Sequence, residues 1–114
     1  MVAQYLDLTA DLAANGFARF EVSNYDYAVI QLVGSDGFYS FTTTLDSGAV
    51  QGVTDGDIST SVDYLQVAVI KLADNTYDTS VSGDGLFRLN VVGRYVQITG
   101  TEAGKLLVML TKIG

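Results

Sequence analysis

An all-β sandwich of about eight antiparallel strands, arranged like a jelly roll, is the fold this sequence predicts. Apolar and polar residues alternate with period two through stretches such as 17–23 and 86–92. β-Branched and aromatic residues fill those stretches. Short turns rich in Gly, Asp, Asn and Ser separate them. A length of 114 residues suits one domain, 1–114, and the sequence carries neither an internal repeat nor a linker.

The strands are expected in the following order. Residues 2–8 form the first, and residues 9–16 a loop or a single helical turn that Thr9 with Asp11 would cap. In residues 17–23, Ala18, Phe20 and Val22 point inward. Residues 27–33 are apolar on both sides, which marks a central strand or one covered by a neighbour. Ser35-Asp36-Gly37 then predicts a tight hairpin into residues 38–45, because Asp-Gly accepts the positive φ of a type I′ turn. There, Tyr39, Phe41, Thr43 and Leu45 share one face, with Ser40, Thr42 and Thr44 opposite. Residues 46–62 read as a long excursion with a short strand near 58–62. Residues 63–73 read as one strand with Leu65, Val67 and Val69 on one face and Tyr64, Ala68, Ile70 and Leu72 on the other. Residues 74–85 read as a polar loop. Residues 86–92 place Phe87, Leu89 and Val91 inward and Arg88 and Asn90 outward. Residues 95–99 place Val96 and Ile98 inward, and residues 105–113 close the fold.

Composition narrows the chemistry. The net charge is −7, and the six basic residues are scattered. Neither nucleic acid nor an anionic membrane is the expected partner. The chain has no Cys, so it has no disulfide, thiolate site or thiol nucleophile. It also has no His, the usual acid–base group near neutral pH and a usual ligand of zinc and copper. With two glutamates, Glu21 and Glu102, and aspartates concentrated in turns, no carboxylate pair stands out for hydrolysis. The expectation is a protein that is not an enzyme, has no cofactor and works by binding or assembling. Its N-terminal residues show no basic region followed by an apolar run, so no secretory signal is read there.

Three sets of residues are candidates for contacts. Asp55-Gly56-Asp57 is the best calcium candidate, because Asp55 and Asp57 offer the carboxylate oxygens a hard cation takes; turn formation explains the same residues. Tyr25, Tyr27, Tyr39, Tyr64, Tyr77 and Tyr95 are available to stack on sugar rings, although tyrosine is also a common strand residue. In residues 105–113, Leu106, Val108 and Leu110 share one face, and Leu107, Met109 and Ile113 the other. A buried central strand accounts for such a pattern, and so does a subunit interface. Leu107, Met109, Ile113 and Tyr64 are therefore the interface candidates. Residues 46–62, residues 74–85 and the first strand are the expected contact regions. The positive mean hydropathy fits a surface partly covered by a partner.

Two stretches carry a family resemblance. One is Phe20-Glu-Val-Ser-Asn-Tyr-Asp-Tyr27-Ala-Val-Ile-Gln-Leu-Val33 followed by Gly34-Ser-Asp-Gly37. The other is Gly85-Leu-Phe-Arg-Leu-Asn-Val-Val-Gly-Arg-Tyr-Val-Gln-Ile98, with a hydrophobic strand after it. From residue 17 onward the chain resembles small β-sandwich virion proteins of tailed bacteriophages, of the head decoration and auxiliary capsid type, including those of crAss-like phages. The resemblance implies a homo-oligomeric structural protein of the virion, assembled in the host cytoplasm, that reinforces the head through contacts with other particle proteins. No catalytic motif is carried over. A neck or tail connector would share these features, and a glycan- or receptor-binding module of a tail fibre or baseplate is the other alternative. Residues 1–16 lie outside the resemblance and are expected as an arm that reaches a neighbour.

Overall fold

The computed structural model describes residues 2–34, 37–44, 65–90, 95–100 and 104–113. Its elements are β1 (Val2–Asp7), α1 (Thr9–Asn15), β2 (Phe17–Glu21), β3 (Tyr27–Val33), β4 (Phe38–Thr44) and β5 (Leu65–Gln66), then β6 (Val69–Lys71), β7 (Thr76–Asp78), β8 (Ser80–Ser82), β9 (Gly85–Asn90), β10 (Tyr95–Gly100) and β11 (Lys105–Lys112). Two antiparallel sheets result. One runs β1-β11-β3-β9-β6-β7; the other runs β2-β10-β4-β5, with β8 also paired to β4. The fold is an all-β sandwich.

The pairings are nested. β4 pairs with β5, β3 with β9, β2 with β10 and β1 with β11, so the chain is one long hairpin whose two arms roll up together. Successive pairs lie in alternate sheets, which is the jelly-roll arrangement. This overturns the predicted hairpin at Ser35-Asp36-Gly37. β3 lies in the six-stranded sheet between β11 and β9, and β4 lies in the other sheet beside β10, so the link crosses between sheets. Gly34, at φ 67°, leaves β3 in the left-handed region, and its carbonyl accepts from the Gly104 N–H at 3.2 Å.

Residues 63–73 are corrected as well. Instead of one strand, β5 and β6 belong to different sheets, and the chain changes sheet at Val67–Ala68. The Val67 N–H still bonds the Phe41 carbonyl at 3.0 Å, whereas Val69 is buried beneath the other sheet. Both valines reach the core from opposite walls, which preserves the period-two pattern across the break. Leu65, expected to share their face, is 71% exposed.

The polar loop of residues 74–85 in fact holds β7 and β8. These strands lie at sheet margins, where only Val81 turns into the core, so polarity concealed them. Aspartates organise the turns: Asp74 Oδ1 accepts from the Thr76 N–H at 3.1 Å and Asp78 Oδ1 from the Ser80 N–H at 3.3 Å. Residues 2–15, expected as part of an arm, pack on their own chain. β1 pairs with β11 from Val2↔Lys112 to Asp7↔Leu107, and α1 buries Leu12. Neither Thr9 nor Asp11 caps that helix. The Thr9 hydroxyl instead accepts from the Leu106 N–H at 2.9 Å, and Asp7 Oδ1 accepts from the Thr9 N–H at 3.1 Å.

Alternate residues of both sheets fill the core. Ala18, Phe20 and Val22 meet Phe41, Val96 and Ile98 from one wall, and Ala28, Ile30, Leu32, Phe87, Leu89, Leu106, Val108 and Leu110 close it from the other. The fully buried ring of Tyr39 lies over Gly100, its partner across β4 and β10. A Cβ at Gly100 would stand 2.3 Å from the Tyr39 ring.

Gly100→Ala is therefore expected to cost about 1–3 kcal/mol by overpacking, read as a lowered urea midpoint at unchanged slope. A second expectation concerns acid. The Thr9 hydroxyl and N–H hold the Asp7 carboxyl below the ordinary value of 3.8, and the Thr76 hydroxyl and N–H do the same for Asp74. A lowered folded value stabilises the native state above pH 3.8, and that contribution is lost as the pH falls through the lowered value. Between those limits the denaturation midpoint should fall less steeply with acidification in Asp7→Asn and Asp74→Asn than in the parent chain.

Candidate interaction face

Strand alternation gives each sheet an inner and an outer face, and the two outer faces differ in chemistry. On the five-stranded sheet the outer face is mostly polar, with Phe17 and the exposed Phe38 as its apolar members. Arg19, Gln97, Thr42 and Gln66 stand in one row across β2, β10, β4 and β5. Arg19 Nε donates to Gln97 Oε1 at 2.7 Å while its guanidinium lies 4.6 Å from the centre of the Phe17 ring. Gln97 Nε2 donates to Thr99 Oγ1 at 3.3 Å, and the Tyr95 hydroxyl donates to Glu21 Oε2 at 3.0 Å. The Arg19–Gln97 and Tyr95–Glu21 bonds tie β2 to β10 across this face.

The outer face of the six-stranded sheet is apolar. Tyr5, Met109, Val29, Arg88, Ile70 and Tyr77 form a single row across all six strands. The next row is Asp7, Leu107, Gln31 and Leu86. Tyr5, Tyr77 and Leu86 are exposed, and Val29, Leu107 and Met109 are half-buried. A groove of about 390 Å³ runs between them, and a second hollow of about 490 Å³ adjoins it beside Val33, Leu72 and Asp84. The Arg88 guanidinium lies 4.4 Å from the centre of the Tyr27 ring, which keeps a cation flat against this surface. A sheet that needs only one face for its core has an apolar second face here.

Two of the four interface candidates, Leu107 and Met109, meet at the centre of this face. Ile113 is exposed beyond the end of β11, where its N–H bonds the Asp26 carboxylate. Tyr64 lies outside the described residues, as do the calcium candidates Asp55 and Asp57 and the excursion of residues 46–62. Among the described residues, no three acidic side chains gather. Tyr5 and Tyr77 fall in the first strand and in residues 74–85, both expected as contact regions, whereas Leu86 and Ile70 are not among the interface candidates. Parity carried the signal for Leu86, since it shares the outward phase of Arg88 and Asn90. Ile70 already takes the phase opposite Val69 in the expected strand of residues 63–73, whereas Tyr77 needed β7, which lies in the expected loop of residues 74–85.

The tyrosines scatter. Tyr39 and Tyr95 are buried, Tyr27 lies under Arg88 and Tyr77 is exposed near the sheet margin. Half-buried Tyr25 donates its hydroxyl to Gln4 Oε1. Tyr25 and the rim of Tyr95 line a cleft of about 410 Å³ between β1 and β2, together with Gln4, Arg19, Glu21 and Asn24.

No family model matches the chain, and no curated protein does. A solved structure does match it: the crystal structure of YomS, a protein derived from the SPBc2 prophage, agrees with a TM-score of 0.66. The match covers 96% of this chain and 95% of that one at 11% sequence identity. The two chains share a fold. At that identity the likeness is one of architecture.

The contrast between inner and outer residues of β11 is open to measurement. Met109→Gln should cost less than about 1 kcal/mol, whereas Val108→Gln, which buries an amide, should cost roughly 3 kcal/mol or more in the same urea titration.

Proposed function

We propose that this chain is a non-enzymatic structural protein of a tailed-phage particle, a head decoration or auxiliary capsid protein held by protein–protein contacts. The observation that carries the reading is the apolar outer face around Leu107, Met109, Val29 and Leu86, set against an opposite face that is mostly polar and cross-linked by the Arg19–Gln97 and Tyr95–Glu21 hydrogen bonds. A domain built this way turns one broad side to a partner and the other to water. The shared fold with a prophage-derived protein and the phage-like segments 20–37 and 85–98 support the same reading. The net charge of −7 suits the water-facing side, since it discourages adhesion to nucleic acid and other polyanions. The proposal includes neither a cofactor nor a metal, and places the protein in the virion. A neck or tail connector would use the same surface and differ in copy number.

The cleft between β1 and β2 favours a second reading, a glycan- or receptor-binding module, because it combines Tyr25 with Gln4, Arg19, Glu21 and Asn24. The main reading predicts that the chain co-sediments with particles of the phage that encodes it at many copies per particle. The double variant Leu86→Gln/Met109→Gln should stay folded by circular dichroism and lose most of that association, while Tyr25→Ala should keep it. Binding to a glycan array that Tyr25→Ala abolishes, with no particle association by the parent chain, would replace the main reading with the second.

A further inference from the structure

The apolar face ends at β1, and the edge there is unusually open. β1 is the outermost strand of its sheet, pairs with β11 without a bulge for six residues, and has a single charged residue, Asp7, at its end. Val2 and Tyr5 are 62% and 75% exposed. Natural edge strands are normally shortened, charged or bulged, because their free N–H and C=O groups recruit other strands. The remaining described edges follow that rule. β7 has three residues and ends in Asp78, β5 has two, and β2 carries Arg19 and Glu21. β1 has none of these protections.

The Leu8 N–H bonds the Leu106 carbonyl at 2.9 Å, in register with the β1–β11 ladder, so the even residues of β1 turn their backbone groups toward β11. By alternation the odd residues Ala3, Tyr5 and Asp7 turn theirs outward.

We infer that β1 pairs antiparallel with β1 of a second copy about a two-fold axis normal to the sheet, fusing two six-stranded sheets into one of twelve strands. Outward residues must face outward residues, and Tyr5 opposite Tyr5 with Ala3 opposite Asp7 matches all three and closes about six N–H···O bonds. This register keeps core side on core side. It also joins the apolar outer faces of the two copies through a central tyrosine pair, of the kind that stabilises cross-strand neighbours. The two Asp7 carboxylates end about 13 Å apart along the strands, beyond a Debye length at physiological salt, so they do not oppose the pairing.

A second copy is the occupant the edge fits, because isologous pairing needs one unprotected edge and the chain has one among its described strands. Six residues span about 20 Å. With the molecule 22 Å across its shortest dimension, apposing two such edges covers on the order of 400 Å² per copy. The total of about 800 Å² is below the roughly 1,200 Å² of stable interfaces, so weak, concentration-dependent self-association is expected. This inference concerns the edge of the sheet and is independent of the particle reading.

Sedimentation equilibrium over a concentration series tests it. The parent chain should move from 12.1 kDa toward twice that mass. Ala3→Pro removes an outward N–H and leaves the β11 side intact, and Tyr5→Lys sets like charges face to face; both should stay monomeric with unchanged circular dichroism. In this cysteine-free chain, Tyr5→Cys should oxidise to a covalent dimer. A parent chain that stays monomeric at every concentration overturns the inference. So does a dimer that both the Ala3→Pro and Tyr5→Lys variants retain, or a Tyr5→Cys chain that oxidises no faster than Asn15→Cys on the exposed end of α1.

Discussion

Antiparallel pairing between the two arms of the chain is the constraint on which the rest of the structure depends. β1 hydrogen-bonds to β11 and β2 to β10, so residues from the two ends of the sequence lie side by side in both sheets. Rolling up those pairs places β3 between β11 and β9 and β4 beside β10, and it requires the chain to change sheets at nearly every link. The same roll makes β11 a central strand, which is why Leu106, Val108 and Leu110 are buried while Leu107 and Met109 reach the centre of the opposite face. It leaves β1 and β2 as the edges on one side of the sandwich, and the cleft beside Tyr25 lies between them.

Local chemistry made most strands legible. Phe17–Glu21, Tyr27–Val33 and Gly85–Asn90 announce themselves through period-two alternation, and their inward residues Phe20, Ile30 and Phe87 are the ones the pattern selects. Non-local features did not show. Asp36-Gly37 has the composition of a hairpin turn, but whether adjacent strands pair is decided by distant partners, here β9, β10 and β11. The break at Val67–Ala68 stayed hidden because a chain crossing the end of a sandwich keeps turning apolar side chains inward. Thr76–Asp78 read as loop because an edge strand with no core-facing residue has no periodicity to display.

The interaction face was legible in part. The two-sided apolar pattern of β11 identified Leu107 and Met109, and that of residues 27–33 marked a central or covered strand without singling out Val29. Its extent needed the register that puts Tyr5 and Tyr77 at opposite ends of one row. The two outer faces also divide the labour of the domain. Hydrogen bonds such as Arg19 to Gln97 link the mostly polar side, and the other side has few polar groups beyond Gln31, Asp7 and the stacked Arg88.

The most direct test of that claim is oxidative footprinting of the chain free and on the particle, read by mass spectrometry. The sequence holds two methionines, and Met109 lies at the centre of the apolar face. The account predicts that Met109 and Leu86 react in the free chain and are shielded in the particle, while Phe17 on the polar face reacts equally in both. Equal reaction of Met109 in the two states, or shielding of Phe17 in its place, would contradict it.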